Sequence, residues 1–390
     1  MQLKRMKFTR LRGEPNEWSI EGRPQQSESH PWVSFENMNL IVGKNASGKS
    51  RTINAIRHVA DLVSGDINLS DLDRIGFGTA RYDLEFEGPN GRMEYSLEFK
   101  KGKVIDESLK LNQNTKLDRT QEKLWFEKEE RNFAFKVDDG VLAVVSKRDE
   151  LQHPFLQDLY DWGKNLNLYR FGTQLGKNAL LKDIDAIQDD PNVDLKDGDE
   201  VTEIFIKGKK YYSNDFVKEI CDDMERIFYS IETIDADKLE NFPFPFYGLN
   251  VKERDIDGIT DQRAMSQGMF RALSLLIQLN YSLRLKESSC ILIDDIGEGL
   301  DYERSKGLID LIIEKVSRSP DIQVIMTTND RFAMNKVPLK FWSVIQRTSN
   351  KSLFYNYQNS KETFDQFEEI GLSNFDFLAT DFYLTDTGSN

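Results

Sequence analysis

The stretch that decides the fold is Gly43-Lys44-Asn45-Ala46-Ser47-Gly48-Lys49-Ser50, which satisfies the pattern G-x-x-x-x-G-K-[ST] in full. The apolar run Met38–Val42 before it predicts a buried strand, and residues 51–57 after it predict a helix. The glycines let successive backbone amides turn inward around a phosphate chain. Lys49 would reach the β- and γ-phosphates, and the Ser50 hydroxyl would ligate Mg²⁺. The sequence therefore predicts that the chain binds a nucleoside triphosphate.

The composition is that of a soluble globular protein with one large or two modest domains. The chain has 390 residues, of which 39% are hydrophobic and 30% charged. We expect a cytoplasmic protein, since no window approaches the roughly 20 apolar residues of a membrane helix and the basic start lacks an apolar signal segment. The only cysteines, Cys221 and Cys290, are expected to be buried thiols in a reducing compartment. The three histidines have no zinc-ligand spacing.

The net charge of −14 argues against a uniformly basic surface for nucleic acid. Binding to DNA would need a local positive stripe. The candidates are two clusters: Lys4, Arg5, Lys7, Arg10 and Arg12, and then Lys207, Lys209 and Lys210. Solvated lysines on strand edges explain both clusters equally well, so charge alone leaves DNA binding open.

Periodicity divides the chain into five segments. Residues 1–78 form the first part of an α/β core, with a polar surface excursion at 21–31, and residues 79–136 form a β-rich lobe. The Asn-Gly pair of Gly88-Pro89-Asn90-Gly91 predicts a hairpin in that lobe. Residues 137–245 form a mainly helical insertion, with helical spacing over 137–180, an acidic solvated loop at 183–200, a helix at about 214–231 and an extended connector at 242–246. Residues 246–348 complete the core, and 349–390 form a C-terminal extension.

A second set of motifs lies near residue 300. Cys290-Ile291-Leu292-Ile293-Asp294-Asp295 is an apolar strand that ends in two carboxylates, the form of a Walker B element. Asp294 would hold Mg²⁺, and Asp295 would orient the attacking water. Leu300-Asp301 follows with the form of a D-loop.

Upstream, Met265-Ser266-Gln267-Gly268-Met269 stands where an ATP-binding-cassette signature would stand and opens an apolar helix. A serine hydroxyl and glycine amides at a helix N-terminus form an anion site. Ser266 as a plain N-cap is the alternative. Because the same chain also contains a phosphate-binding loop and a D-loop, the signature is favoured over a plain N-cap.

Together these motifs resemble those of ABC-type ATPases of the RecF/SMC/OLD lineage. Residues 43–50 are similar to the lineage form G-x-N-G-S-G-K-S, and 293–301 resemble RecF's Walker B element and D-loop. The resemblance covers about residues 1–62 and 245–348. It implies an α/β, ABC-type P-loop NTPase core with an antiparallel β-lobe and a helical insertion, and ATP and Mg²⁺ as cofactors. The nearest general likeness is to stand-alone relatives of the OLD-nuclease ATPase half, several of which act in phage defence.

The chain departs from the lineage in its catalytic positions. The usual catalytic Glu is Asp295, with Glu298 nearby as a second candidate, and the switch histidine is replaced by Asn329. The Q-loop glutamine is not placed, with Gln152 and Gln157 as candidates. The predicted catalytic residues are Asp295, Glu298 and Asn329, and the predicted Mg²⁺ ligands are Ser50 and Asp294. The predicted nucleotide contacts are Gly43, Lys44, Asn45, Ala46, Ser47, Gly48, Lys49, Ser50, Arg51, Arg12 (with Arg10 as its neighbour candidate), Ser266, Gln267, Gly268 and Asp301.

The resemblance implies a head-to-tail homodimer, or a higher oligomer of such dimers, with two ATPs at the interface. We expect a slow ATPase that acts as a regulatory scaffold or sensor for a separate effector, for example a nuclease, in prokaryotic phage defence. The alternative is a RecF-like, ATP-gated DNA-binding protein of repair or replication, which keeps DNA as a candidate partner. A transporter ATPase is disfavoured by the lineage-specific motifs and the large β-lobe.

Overall fold

A computed structural model describes residues 1–24, 31–189, 198–239, 245–285 and 287–385. The strands are β1 (Gln2–Arg10), β2 (Trp18–Gly22), β3 (Val33–Ser34), β4 (Met38–Val42), β5 (Thr79–Gly88), β6 (Gly91–Lys100), β7 (Lys103–Leu111), β8 (Asn114–Asp118), β9 (Lys123–Phe126), β10 (Arg131–Ala134), β11 (Leu166–Arg170), β12 (Ile231–Lys238), β13 (Tyr247–Glu253), β14 (Thr260–Asp261), β15 (Ser289–Asp294), β16 (Ile322–Thr327), β17 (Trp342–Thr348) and β18 (Lys351–Asn356). The helices are α1 (Lys49–Ser64), α2 (Leu69–Arg74), α3 (Ala143–Ser146), α4 (Phe155–Lys164), α5 (Ile184–Asp189), α6 (Val201–Arg226), α7 (Gln267–Leu285), α8 (Tyr302–Ser317), α9 (Arg331–Lys336), α10 (Tyr357–Ile370) and α11 (Asn374–Ala379).

The chain divides into two compact units. The first comprises Met1–Leu166, Ser288–Cys290 and Pro338–Asn390, and the second comprises Asn167–Glu287 and Ile291–Val337. In the described part of the chain, none of the helices combines the length and apolar character needed to cross a membrane.

The first unit is built on a long sheet. Strands β5 to β10 form an antiparallel meander beside β1, and the order continues through β2, β18 and β17 to β4. The β2–β18 and β17–β4 pairs are parallel. All five residues of β4 are buried, as expected of a continuous apolar run between strand neighbours and covering elements. This strand delivers the chain directly into the phosphate-binding loop.

The β-rich lobe predicted over 79–136 is present as β5 to β10. Gly88 pairs with Gly91 across the predicted turn, so the Asn-Gly signal identified the hairpin correctly. Apolar residues alternate toward one face, and Phe8 of β1 contacts Tyr82 there, with a ring-centroid distance of 4.7 Å. The mixed α/β fold class is confirmed.

The second unit combines helices with two groups of strands. β12, β13 and β14 form an antiparallel sheet, while β16, β15 and β11 lie side by side in that order. α7 is buried from Gly268 to Ser282 and packs against α6. A helix that is buried on all sides needs apolar residues around its whole circumference, and its buried polar side chains are hydrogen-bonded: Ser274 donates to the Phe270 carbonyl and Asn280 donates to Asp223.

Several boundaries predicted from the sequence were wrong. The helical stretch over 137–180 contains only short helices, α3 and α4, and then the strand β11, because a short apolar run cannot be assigned from periodicity alone. The helix placed at 214–231 is α6, which begins at Val201, breaks at Ser213 (φ 59°, ψ −155°) and is followed by β12. Part of the acidic loop at 183–200 is helical as α5, and its residues 190–197 lie outside the described chain.

Two predicted irregular segments fall partly outside the described residues. The excursion at 21–31 begins inside β2, whose residues are all buried, and its residues 25–30 are not among those described. Of the connector at 242–246, only residues 245 and 246 are described. Both cysteines are buried free thiols, as predicted.

Candidate functional site

The phosphate-binding loop lies in the first unit between β4 and α1. Gly48 is the N-cap of α1, with a left-handed φ of 115°. A Cβ there would lie 2.6 Å from the Ser352 hydroxyl and 3.4 Å from the Trp18 ring. Both the conformation and the close approach therefore require glycine at this position. The α1 N-terminus follows at once, so its unpaired amides face the loop.

Lys49 is buried and folds back over the loop. Its ammonium donates to the carbonyl oxygens of Gly43, at 2.7 Å, and Lys44, at 3.3 Å. Ser47 is also buried, and within the described chain its hydroxyl has no hydrogen-bond partner, although its carbonyl accepts from Ser352. A held ammonium and an unsatisfied hydroxyl in a turn of amides fit a phosphate chain, which would supply the missing acceptor.

Ala46 occupies the position at which the lineage form has glycine. Its φ is 61°, a left-handed conformation that costs an alanine about 1 kcal/mol. The loop therefore keeps the glycine-type backbone without the glycine. Lys44 and Asn45 beside it are exposed, and Lys44 forms an ion pair with Asp381 at 2.8 Å, which lowers the pKa of that carboxyl through the hydrogen bond.

Two arginines lie near the start of α1. Arg10 stacks on the Phe77 ring, 4.1 Å from its centroid, and burial, followed by the charge of Arg51, lowers the pKa of Arg10. Arg51 itself lies over the Trp18 ring. Arg12, the predicted phosphate contact, instead binds Glu98 of the β-lobe at 2.6 Å. Of the two candidates in the first strand region, Arg10 is the one whose charge interacts with Arg51 of α1.

The carboxylates of the second unit are arranged around Thr327. Asp294 ends the buried strand β15 and accepts from the Thr327 hydroxyl at 2.6 Å, and that hydroxyl accepts from the Asp295 amide at 2.9 Å. Asp295 has a left-handed φ of 58° and accepts from Asn329 at 3.2 Å. The structure therefore brings together Asp295 and Asn329, both predicted as catalytic. Glu298 lies exposed at the end of the same turn, where its amide donates to the Asp295 carbonyl.

The signature segment opens α7 as predicted. The Ser266 hydroxyl accepts from the Met269 amide at 3.1 Å, so Ser266 caps the N-terminus of α7. A Cβ at Gly268 would lie 2.5 Å from the Gly299 carbonyl oxygen. The signature glycine is thus required by the close passage of the segment that carries the D-loop.

A cavity of about 840 Å³ lies in front of this segment. Its lining includes Ser266 and Gly268, the D-loop residue Asp301, and Arg304. Asp301 caps α8 by accepting from the Arg304 amide, the bond that contributes most to lowering the pKa of Asp301. The cavity wall also carries Tyr229, whose ring lies under the Arg304 guanidinium, 4.4 Å from it. The lining offers donors, a cation and an aromatic face, which suits a phosphorylated ligand.

Sequence reasoning missed β11 and the loop that follows it. The Phe171 amide donates to the Asp294 carbonyl at 2.9 Å, so this loop lies beside the end of the Walker B strand, and it contains Gln174. Gln157, a Q-loop candidate, instead lies within α4, where it donates to Asp161 and accepts from Arg148. If residues 166–170 had been assigned as a strand, the loop after it would have been a candidate for the Q-loop.

The predicted basic clusters are largely engaged within the chain. Lys207 is buried, and Lys209 forms an ion pair with Asp235 at 2.7 Å. Arg5 binds Glu85 and, with Lys7, lies over the Trp32 ring. Lys207, the first lysine of the second cluster, therefore adds no charge to an exposed positive surface.

Residues 38–330 match the family described as "AAA domain, putative AbiEii toxin, Type IV TA system". The chain belongs to this family. The matched range begins with β4 and ends just after Asn329, so it spans the phosphate-binding loop, the signature, the Walker B carboxylates and the D-loop. The chain is thereby an ATPase of the AAA/ABC type.

Solved structures support the same fold. The crystal structure of an SmcHead bound to the C-winged helix domain of ScpA matches with 14% identity and a TM-score of 0.55, covering 91% of this chain and 97% of that chain. The Smc head domain with an extended coiled coil, bound to the C-terminal domain of ScpA, from Pyrococcus furiosus matches with 14% identity and a TM-score of 0.50, covering 95% and 99%. No curated protein matches the sequence. At this identity the likeness shows the fold alone, an SMC-head-like ABC ATPase fold.

Proposed function

We propose that this ATPase dimerises head to tail around ATP and acts as a slow regulatory scaffold or sensor for a separate effector protein, for example a nuclease, in prokaryotic phage defence. The main support for the dimer is the open cavity in front of Ser266, at the start of the signature helix. Asp301 of the D-loop, which caps α8, also lines this cavity. In the lineage that the motifs resemble, this surface binds the γ-phosphate of ATP held by a second copy. ATP then becomes part of the interface, and its hydrolysis releases the partner.

Each motif has a defined part in this proposal. Lys49 and the amides at the start of α1 bind the phosphates. Asp294 and the Ser50 hydroxyl are hard oxygen ligands of the kind that Mg²⁺ prefers, and the metal would neutralise charge on the phosphates. Asp295 accepts a proton from, or orients, the attacking water, with Asn329 holding its carboxylate. Gln174 is our candidate for the Q-loop glutamine, since its loop lies beside Asp294.

Slow turnover is supported by the catalytic residues themselves. Asp295 is one methylene shorter than the usual glutamate, so its carboxylate reaches less far, and it already accepts a bond from Asn329. Asn329 can donate a hydrogen bond to a phosphate but cannot carry a proton as histidine does. A low rate suits a protein whose ATP-bound state must persist long enough to hold a partner.

A scaffold role is favoured over DNA binding by the state of the basic residues. Lys207 is buried, Lys209 and Arg12 are paired with acidic side chains, and the net charge is −14. Counterion release needs clustered cations that are available to phosphates. The family description names a toxin of a toxin–antitoxin system, which supports a prokaryotic setting in which two proteins act together.

Light scattering of the hydrolysis-slow variant Asp295→Asn, with and without ATP, tests the dimer. We expect its mass to double with ATP, and we expect adding Ser266→Arg to prevent the doubling while fluorescent-ATP binding to the monomer is kept. A bulky cation cannot fit where the hydroxyl and helix amides meet a phosphate. Lys49→Ala is the matched control, which should lose both binding and doubling. ATP-driven doubling in the Ser266→Arg variant would return Ser266 to the role of a helix cap.

A further inference from the structure

Arg271 lies one turn into α7 and is only 6% exposed. Its guanidinium makes four hydrogen bonds within the second unit. Nε and Nη2 donate to the Thr173 carbonyl at 3.2 and 3.0 Å, and Nη1 donates to the Glu298 carbonyl at 2.9 Å. Nη2 also donates to the Gln267 side chain at 3.1 Å. The acceptors in these bonds are carbonyl and amide oxygens, so the planar donor fork fixes backbone positions.

Each acceptor belongs to a different functional segment. Gln267 is the first residue of the signature helix. Glu298 ends the turn that begins at Asp295. Thr173 lies in the loop that follows β11, and the Phe171 amide of that loop donates to the Asp294 carbonyl. One side chain therefore connects the signature, the turn carrying Asp295 and the loop beside Asp294.

The connection is stiff because the guanidinium is buried. Removing one of its partners would leave buried N–H groups of a charged donor unsatisfied, which is costly. Gly299, next to Glu298, also passes so close to Nη1 that a Cβ there would collide with it. A shift of the signature helix is therefore transmitted to the Asp295 turn rather than absorbed between them.

We propose that Arg271 is a positioning residue that couples the two ATP sites of the dimer. This inference rests on the proposed dimer, in which the signature contacts ATP held by a second copy while Asp295 serves the chain's own ATP. Engagement of the signature by the partner's nucleotide sets the Asp295 turn through Arg271. Occupancy of one site thus controls hydrolysis at the other, a coupling free energy carried by one buried side chain.

The experiment measures ATPase rate against ATP concentration for the full chain, together with association by light scattering. We expect the wild type to associate and to show a Hill coefficient approaching roughly 2, the number of sites in the dimer. Arg271→Lys keeps the charge but cannot span three acceptors. It should lower the Hill coefficient to about 1 and reduce kcat, while binding of a fluorescent ATP analogue by the monomer is unchanged.

Arg284→Lys is the matched control. It changes an arginine near the far end of the same helix that binds Glu219, and it should leave the Hill coefficient as in the wild type. If the wild type fails to associate with ATP, the proposed dimer is wrong. If the wild type associates but has a Hill coefficient of 1, the coupling alone is wrong. The coupling is also wrong if the Arg271→Lys variant is as cooperative as the wild type.

Hydrogen exchange of the wild type keeps the test independent of whether the variant folds. Association with ATP should protect amides of 171–174 and 295–300 together with those of the first turn of α7. Protection confined to the first turn of α7 would contradict the coupling.

Discussion

At the residue scale, the turn after β15 holds two carboxylates that could serve the attacking water. The Asp295 carboxylate accepts a hydrogen bond from Asn329, and the Asp295 backbone amide donates to the Thr327 hydroxyl. The Glu298 side chain is exposed, and only the backbone carbonyl of Glu298 is bound by Arg271. A group that must present a carboxylate at a fixed angle needs such support. The geometry therefore favours Asp295.

We expect Asp295→Asn to slow hydrolysis by at least about 10²-fold while ATP binding is retained, because an amide cannot accept a proton from water. Glu298→Gln, the matched change in the same turn, should reduce the rate much less. Single-turnover hydrolysis and fluorescent-ATP titration measure the two effects. The opposite ranking of the two variants would move the catalytic carboxylate to Glu298.

At the scale of elements, the sequence was most informative where structure is local. The bounds of β4 and the start of α1 follow from an apolar run and a glycine pattern within a few residues, and the β5–β6 hairpin follows from its turn. The signature helix and the Walker B strand were found in the same way. These predictions needed no contact that is distant along the chain.

The errors lie where tertiary contacts decide. β11 has four buried residues in succession, so no alternation marks it as a strand, and Trp162, Leu166 and Tyr169 fall at helical spacing. Arg271 was missed because its acceptors at Thr173 and Glu298 are far from it in sequence. Lys207 was predicted to be a surface cation because a single sequence does not show which face of α6 is buried.

The β-lobe offers a test of how a single buried group holds an element. Glu107 is fully buried and accepts from the amides of Ala143 and Val144 and from Arg119, so it fastens α3 to the lobe. Burial raises the pKa of this carboxyl, against the effect of its donors.

Glu107→Ala should lower the free energy of unfolding by about 3 kcal/mol, because it leaves buried donors unsatisfied. Asp106→Ala changes the neighbouring, more exposed carboxyl that faces Arg81 and should cost less than about 1 kcal/mol. Urea unfolding of both variants checks the difference. Equal losses would show that Glu107 is not the attachment point of α3.

At the scale of the whole molecule, the net negative charge and the pairing or burial of basic residues both disfavour binding to DNA. A net charge of −14 gives duplex DNA no long-range attraction. Within the two basic clusters, Lys207 is buried, and Lys209 and Arg12 are paired with carboxylates. An ATPase whose partner is a protein needs no such attraction. The two candidate functions therefore differ in how the rate should respond to DNA and to salt.

We expect the purified chain to hydrolyse ATP at well below the enzyme median of ~10 s⁻¹, and we expect duplex DNA to leave that rate unchanged at low and moderate salt. A DNA-gated enzyme would instead be stimulated, and the stimulation would fall steeply with salt as counterions compete for the phosphates. Steady-state ATPase assays over a salt series, with and without DNA, measure this. Strong, salt-sensitive stimulation, lost when Arg10 and Arg12 are neutralised, would replace the scaffold by the RecF-like function.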